Sequence, residues 1–227
     1  MAKIISPPAV EAVFLQSAAK AGQFPSPIGL EVALLGRSNC GKSSLLNRWL
    51  GRRALARVGA APGRTRLVNF FRVVWNNGVP PMMVVDLPGY GFAAAPKAMV
   101  DSWRGMVADY LESGRGPQLA LLLMDIRRGV QKEEKDLVRW LKNLGLPYQI
   151  IATKADKVST GKCRQAVAEL RKSLGGAAEP LAFSSLSGQG REELIALVLE
   201  RQKECSSVSE SPSGNSAPAA DFSAEDS

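Results

Sequence analysis

Histidine is absent from all 227 residues, and only three are cysteine. An odd cysteine count at no metal-ligand spacing, with no histidine, argues against a disulfide framework and against a zinc site. Long apolar runs are missing too. "LALLLM" (Leu119 to Met124) falls far short of the roughly 20 residues that span a bilayer. Pro7, Pro8 and Glu11 interrupt the stretch where a signal peptide needs unbroken apolar residues, so a cytoplasmic protein is expected. There is no C-terminal Cys box and no amphipathic anchor, and position 2 is Ala2 rather than the glycine that myristoylation requires. These absences weigh against a membrane partner.

Basic residues are missing from one end only. From Cys205 to Ser227 there is no Lys or Arg, while Glu210, Asp221, Glu225 and Asp226 are acidic. The whole chain carries +8; with those four acids set aside, 29 basic residues stand against 17 acidic, or +12 on residues 1–204. A Ser/Pro/Ala-rich acidic stretch cannot bury enough apolar surface to fold, so 205–227 reads as a disordered tail. The basic body points to a polyanionic partner, nucleic acid ahead of anionic membrane. A merely solubilising charge excess gives the same composition.

Between these ends, short apolar runs alternate with amphipathic stretches and no repeat is visible. Residues 1–28 read as a Pro-containing lead-in and 29–204 as one domain. "VALLG", "LALLLMDI", "YQIIATKAD" and "PLAFSS" read as strands, and "LVNFFRVVW" and "PPMMVVD" as two more, joined by an Asn-Gly hairpin turn. Helical patterns follow most of them, from "KSSLLNRWLG" to "GREELIALVLERQKE". Apolar strands alternating with helices predict an α/β fold: a mostly parallel six-stranded sheet with one antiparallel strand and helices on both faces. Ligands of such sheets bind at the carboxyl ends of the strands.

The chemistry-bearing motifs fall there. "GRSNCGKS" has the G-x-x-x-x-G-K-S spacing of a phosphate-binding loop. Gly36 and Gly41 let backbone N–H groups approach phosphate oxygens, Lys42 reaches the β- and γ-phosphates, and the Ser43 hydroxyl ligates Mg²⁺ at a helix N-terminus. In "VVDLPGYG", Asp86 ends a strand, where an acid holds Mg²⁺ through its water shell, and Gly89 offers its N–H to a γ-phosphate. In "IIATKAD", Asp156 accepts from N1–H and N2–H₂ of guanine, a donor pair that adenine lacks, and Lys154 lays its stem along the base. "FSS" (Phe183 to Ser185) brings backbone N–H groups to guanine O6. Thr65 sits in the loop "GAAPGRTRLV", where a segment engaging γ-phosphate and Mg²⁺ belongs. In isolation each of the later motifs equally reads as an ordinary turn or loop; their order makes the case.

That order, with the wordings "GRSNCGKSSLLN", "PGRT", "DLPGYGFA", "TKADK" and "FSS", resembles the EngB (YihA/YsxC) family, bacterial P-loop GTPases of ribosome assembly. The likeness covers about residues 28–200. It implies GTP/GDP and Mg²⁺ binding and a role in maturing pre-50S ribosomal particles through rRNA contacts, needed for cell division and septation. The contacts it implies for GTP are Gly36, Arg37, Ser38, Asn39, Cys40, Gly41, Lys42, Ser43, Gly63, Arg64, Thr65, Arg66, Leu67, Asp86, Leu87, Pro88, Gly89, Thr153, Lys154, Ala155, Asp156, Phe183, Ser184 and Ser185. Ser43 and Thr65 would ligate Mg²⁺, with Asp86 acting through water. Cys40 stands where the family has Val, a change expected to affect oxidant sensitivity more than binding. The tail is unlike the family's compact end.

Hydrolysis is less legible. Many GTPases orient the attacking water with a Gln just after Asp-x-x-Gly; here Tyr90 holds that place, so a low intrinsic rate is expected, with stimulation from outside. Lys42 and Asn39 are the candidate catalytic contributors. Related GTPases with Asn at this place bind K⁺, which makes Asn39 a candidate K⁺ ligand; a loop-shaping asparagine is the alternative. A binding module without useful turnover and a membrane-signalling GTPase are the rival readings. Six arginines (52, 53, 57, 64, 66, 72) and no acid lie between Arg52 and Arg72. They are read as one GTP-gated surface for rRNA phosphates on a monomeric protein. Lys132, Lys135, Arg139 and Lys142, diluted by acids, read as a solvated helix face.

Overall fold

The computed structural model describes residues 9–56, 67–75, 78–90, 97–112, 114, 117–176 and 179–209. Seven strands form one sheet: β1 (Ala9–Ala18), β2 (Glu31–Gly36), β3 (Val68–Trp75), β4 (Met82–Asp86), β5 (Leu119–Asp125), β6 (Tyr148–Thr153) and β7 (Leu181–Phe183). Among the described residues five α-helices accompany them: α1 (Lys42–Trp49), α2 (Lys97–Leu111), α3 (Lys132–Asn143), α4 (Thr160–Ser173) and α5 (Arg191–Ser209). The strand order is β1-β3-β4-β2-β5-β6-β7. Only β3 runs against its neighbours, pairing antiparallel with both β1 and β4; every other pair is parallel.

Alternation along the buried strands sends successive residues to opposite faces. Ala33, Leu35, Ala120, Leu122 and Met124 meet apolar residues of α2, α3 and α4 on one face. Val32, Leu34, Leu119, Leu121 and Leu123 meet α1 and α5 on the other. Both-sided burial is why these strands read as unbroken apolar runs. Phe70 and Phe71 are both buried, one in each layer, so neither is free to stack on a nucleic-acid base.

The sheet has one strand more than the sequence predicts. The segment read as a lead-in contains β1, and Phe24 beyond it packs its ring 5.4 Å from Phe70 and 5.8 Å from Tyr110. Register shifts at Ala9/Glu11 and Phe14/Gln16 break the alternation that would have marked the strand. At the other end, α5 continues to Ser209, past the boundary drawn at residue 204. The Asn76-Asn77 part of the hairpin turn lies outside the described residues.

The registers bring the last residues of five strands to one edge. Leu34 pairs with Asp86, Gly36 with Leu123, Asp125 with Thr153, and Thr153 with Phe183. The motif residues past each of these ends therefore converge.

Candidate functional site: a nucleotide cradle at the strand ends

The loop from β2 to α1 starts the site. Gly41 caps α1 at φ 108°, a left-handed conformation that a side chain would strain, and this turns the helix N-terminus toward the loop. The non-glycine Asn39 is also left-handed, at φ 62°. Lys42 folds back over the loop, donating to Gly36 O at 3.2 Å and lying 3.5 Å from Arg37 O. A helix N-terminus with a lysine curled above it favours an anion. The Cys40 thiol is buried within the loop, and burial pushes its pKa up. Burial and a raised pKa both lower the reactivity of a thiol.

Asp86 lies beside this loop, 4% exposed. Burial raises its pKa to about 6, against the opposing pull of Lys42. Its Oδ1 has no hydrogen-bond partner among the described residues. An orphaned, buried carboxylate oxygen beside a lysine and a helix N-terminus fits a hydrated divalent cation. Gly89 comes so close that a Cβ there would sit 2.8 Å from both Ser38 N and Lys42 Nζ. Only glycine lets the two motifs touch. Tyr90 then locks the segment down: its N–H donates to Gly36 O at 3.3 Å, and its carbonyl accepts from Ser38 N at 2.8 Å. Its buried ring carries the hydroxyl to Glu134 Oε1 at 3.2 Å, on α3. Burial and the neighbouring Glu134 push the phenol well above its ordinary range. Tyr90 is thus a fixed strut, neither a base nor a water-orienting group.

The third part follows β6. Lys154, left-handed at φ 60°, crosses the phosphate loop and donates to Asn39 O at 2.8 Å while pairing with Asp125 Oδ2 at 2.9 Å. Burial would raise the Asp125 pKa, but bonds from Arg127 and Lys154 outweigh it and hold the carboxyl well below the usual range. Thr153 Oγ1 bridges the same structures, with its one proton to give to either Cys40 O at 2.6 Å or Met124 O at 3.0 Å. Asp156 Oδ1 accepts from Ser184 Oγ at 2.7 Å, which holds it ionised and aimed. Ser184 Oγ in turn accepts from the N–H groups of Leu186 and Ser187. A cleft of about 620 Å³ flanks the phosphate loop toward α3, lined in part by Arg37, Asn39, Arg128, Gln131 and Lys154.

Three comparisons bear on what this cradle belongs to. The family described as "50S ribosome-binding GTPase" matches residues 31–154, more than half of the chain. A relative named "Probable GTP-binding protein EngB", from Pelotomaculum thermopropionicum, is 44% identical over 189 residues, covering 82% of this chain and 93% of the relative. The protein of the same name from Solibacter usitatus is 40% identical, with the same coverage. The chain belongs to the EngB family. It is a GTP-binding protein with a GTPase domain. A solved EngB structure superposes with a TM-score of 0.61 at 23% identity, covering 77% of this chain and 99% of that one. The structure of Era in complex with MgGDPNP and a segment of 16S ribosomal RNA superposes at 0.62 and 24% identity, covering 78% of this chain and 57% of Era. These two likenesses carry the fold.

Within this EngB fold, Gly36 to Ser43, Asp86, Gly89, Lys154, Asp156, Ser184 and Ser185 gather along the strand-end edge. Other expected contacts turn inward. The side chains of Leu87 and Phe183 are fully buried, and Thr153 spends its hydroxyl on backbone carbonyls. The Ser184 N–H donates to Gln189 O at 3.0 Å and is thereby spent within the loop. Gly63, Arg64, Thr65 and Arg66 lie outside the described residues; Leu67, just after them, is 39% exposed. Asp125 and Glu134, which hold Lys154 and Tyr90, are the parts of the cradle that the sequence motifs do not name. Asp125 ends the run "LALLLMD" as Asp86 ends "MMVVD", and that parallel was its signal.

Proposed function

We propose that this EngB-family protein binds GTP and GDP with Mg²⁺, hydrolyses GTP slowly, and assists assembly of the large ribosomal subunit, a role required for cell division. The observation that carries the nucleotide part is the convergence of Lys42, Asp86 and Gly89 with the Asp156–Ser184 pair on one sheet edge. Lys42 and the loop N–H groups hold the phosphates. Asp156 reads guanine, and Lys154 braces the loop against the base. Ser43 and Thr65 would ligate Mg²⁺ and Asp86 would hold its water shell; the bound ion supplies charge neutralisation at the β- and γ-phosphates. The +12 body, the family description and the related Era complex support a pre-50S particle as partner. We place the protein in the cytoplasm as a monomer.

Tyr90 favours one second reading, a GTP-gated binding module with negligible turnover, because its side chain is committed to Glu134. A multiple-turnover phosphate-release assay separates the two. With large-subunit particles and K⁺ in place of Na⁺, turnover is expected to rise at least about tenfold; a flat rate supports the binding module. If K⁺ acts at Asn39, Asn39→Ala abolishes the K⁺ stimulation alone.

The Mg²⁺ assignments give a further expected result. Thr65→Ala should leave GDP affinity nearly intact, because that threonine engages Mg²⁺ only in the GTP state. Ser43→Ala should weaken Mg²⁺-dependent binding of both nucleotides. Equal damage to GDP binding in the two variants, measured by calorimetry, would remove Thr65 from its switch role.

A further inference from the structure

Asn47, on α1, has no part in the nucleotide site, yet it holds the loop that follows the helix. It is 8% exposed. Its carboxamide donates to Ala56 O at 2.8 Å and accepts from Ala56 N at 2.9 Å. Its own carbonyl accepts from Arg52 N at 2.8 Å. One buried residue therefore closes residues 52–56 at both ends, and Leu55 and Ala56 pack onto the α1–α5 apolar layer. Breaking the carboxamide pair would leave buried polar groups unmatched, which is costly. The sequence reading treats Arg52 to Arg66 as one gated segment; its first five residues are instead tied to the fold.

Two arginines from elsewhere join Arg52 and Arg53, which are exposed on this loop. Arg48 donates to Ser187 O at 3.2 Å, and Arg191 Nε donates to Arg48 O at 2.9 Å. The Arg191 guanidinium lies over Gly51, 3.7 Å from where a Cβ would stand. Carbonyls place both side chains, so the bonds that fix them leave their charge unneutralised. Glu192 and Glu193 follow in sequence but form no ion pair among the described residues. Leu186, 75% exposed, adjoins the cluster through Ser187.

We propose that Arg48, Arg52, Arg53 and Arg191 form a docking surface for RNA phosphates that is presented identically in the GDP and GTP states. The proposal rests on the reading that the partner contains RNA. The Arg48 and Arg191 forks, placed by carbonyls, match phosphate oxygens beside the exposed Arg52 and Arg53, and the cluster offers one leucine rather than the apolar stripe that a lipid surface needs. Its anchors are Asn47 and the carbonyls of Arg48 and Ser187. The first two belong to the C-terminal half of α1, away from the phosphate-loop end of that helix, and the third adjoins the guanine-reading loop, whose ligand GDP and GTP share. Any nucleotide gating of particle binding must then come from outside this surface.

The test is fluorescence anisotropy of a labelled RNA hairpin with an unpaired loop, using the full chain with GDP or a non-hydrolysable GTP analogue. Wild type should bind with the same Kd, within about twofold, in both nucleotide states. Arg52→Glu/Arg53→Glu should weaken binding about tenfold or more in both, and lower the log–log salt slope by about 1.4 to 1.8. Nucleotide affinity of that variant should stay unchanged. Asn47→Ser keeps every arginine but unties the loop, and should lose about threefold in RNA affinity; the arginine variant stands as the test if Asn47→Ser does not fold. RNA binding that survives the double substitution, or that tracks the nucleotide in wild type, overturns the proposal. So does binding to phosphatidylglycerol vesicles that the double variant loses and RNA fails to compete. Absence of co-sedimentation with large-subunit particles, with RNA binding intact, would sink the ribosomal reading and leave this surface standing.

Discussion

Asp156→Asn is expected to weaken GTP binding by about 10²-fold or more while improving binding of xanthosine triphosphate. Ser184 Oγ donates to Oδ1 at 2.7 Å and Lys157 lies 3.4 Å from Oδ2, so the carboxylate is aimed and ionised. That hydrogen bond, with Lys157 behind it, lowers the pKa, and the group is acceptor-only at neutral pH. Guanine brings two N–H donors to it. An asparagine brings an NH₂ of its own, so one donor faces another at the guanine edge. Xanthine carries an oxygen where guanine has its amino group, and an asparagine donor matches it. Calorimetric titration with both nucleotides checks the exchange. Unchanged GTP affinity would take Asp156 out of the site; a loss for both nucleotides alike would point to a collapsed loop.

The Asp156–Ser184 pair also marks how far the sequence could be read. Each residue follows an apolar strand, and the order of motifs located both. Their hydrogen bond, and the use of the Ser184 N–H by Gln189, depend on the loop path between β7 and α5, which no periodicity encodes. The same holds at Tyr90. Its place after Asp-x-x-Gly was visible as a missing glutamine, but its role as a strut needs Glu134, which is 44 residues away. Strand β1 was missed for a different reason. Its two register shifts scramble the period-two signal, and an edge strand needs burial on fewer sides than a central one. Asn47 was legible only as the end of a motif wording, because a carboxamide that closes a loop looks like any polar helix residue until its partner at Ala56 is known.

Asp86→Asn is expected to stabilise the nucleotide-free protein while weakening Mg²⁺-dependent GTP binding about tenfold or more. The carboxylate is buried and one oxygen lacks a partner, so its pKa stands near 6 rather than 3.8. A raised carboxyl pKa means the folded protein holds a proton that the unfolded chain has released. Its contribution to stability is therefore full below about pH 3.8 and is lost as pH rises through about 6. Near neutral pH the ionised form costs about 3 kcal/mol at roughly 1.4 kcal/mol per pK unit. Asparagine has nearly the same shape and no charge. Lys42 loses an attractive neighbour but keeps the carbonyls of Gly36 and Arg37. The net gain should be about 1–3 kcal/mol, or several degrees in Tm by calorimetry. The wild type should gain on the variant when the pH is lowered from about 7 to about 5, since protonation removes the same charge. GTP affinity at saturating Mg²⁺ should move the opposite way, because the cation's water shell requires the ionised carboxylate. A Tm that falls in the variant at neutral pH would show that Asp86 is structurally satisfied, and the cation assignment would lose its physical basis. A raised Tm with intact Mg²⁺-dependent binding would place the cation on other ligands.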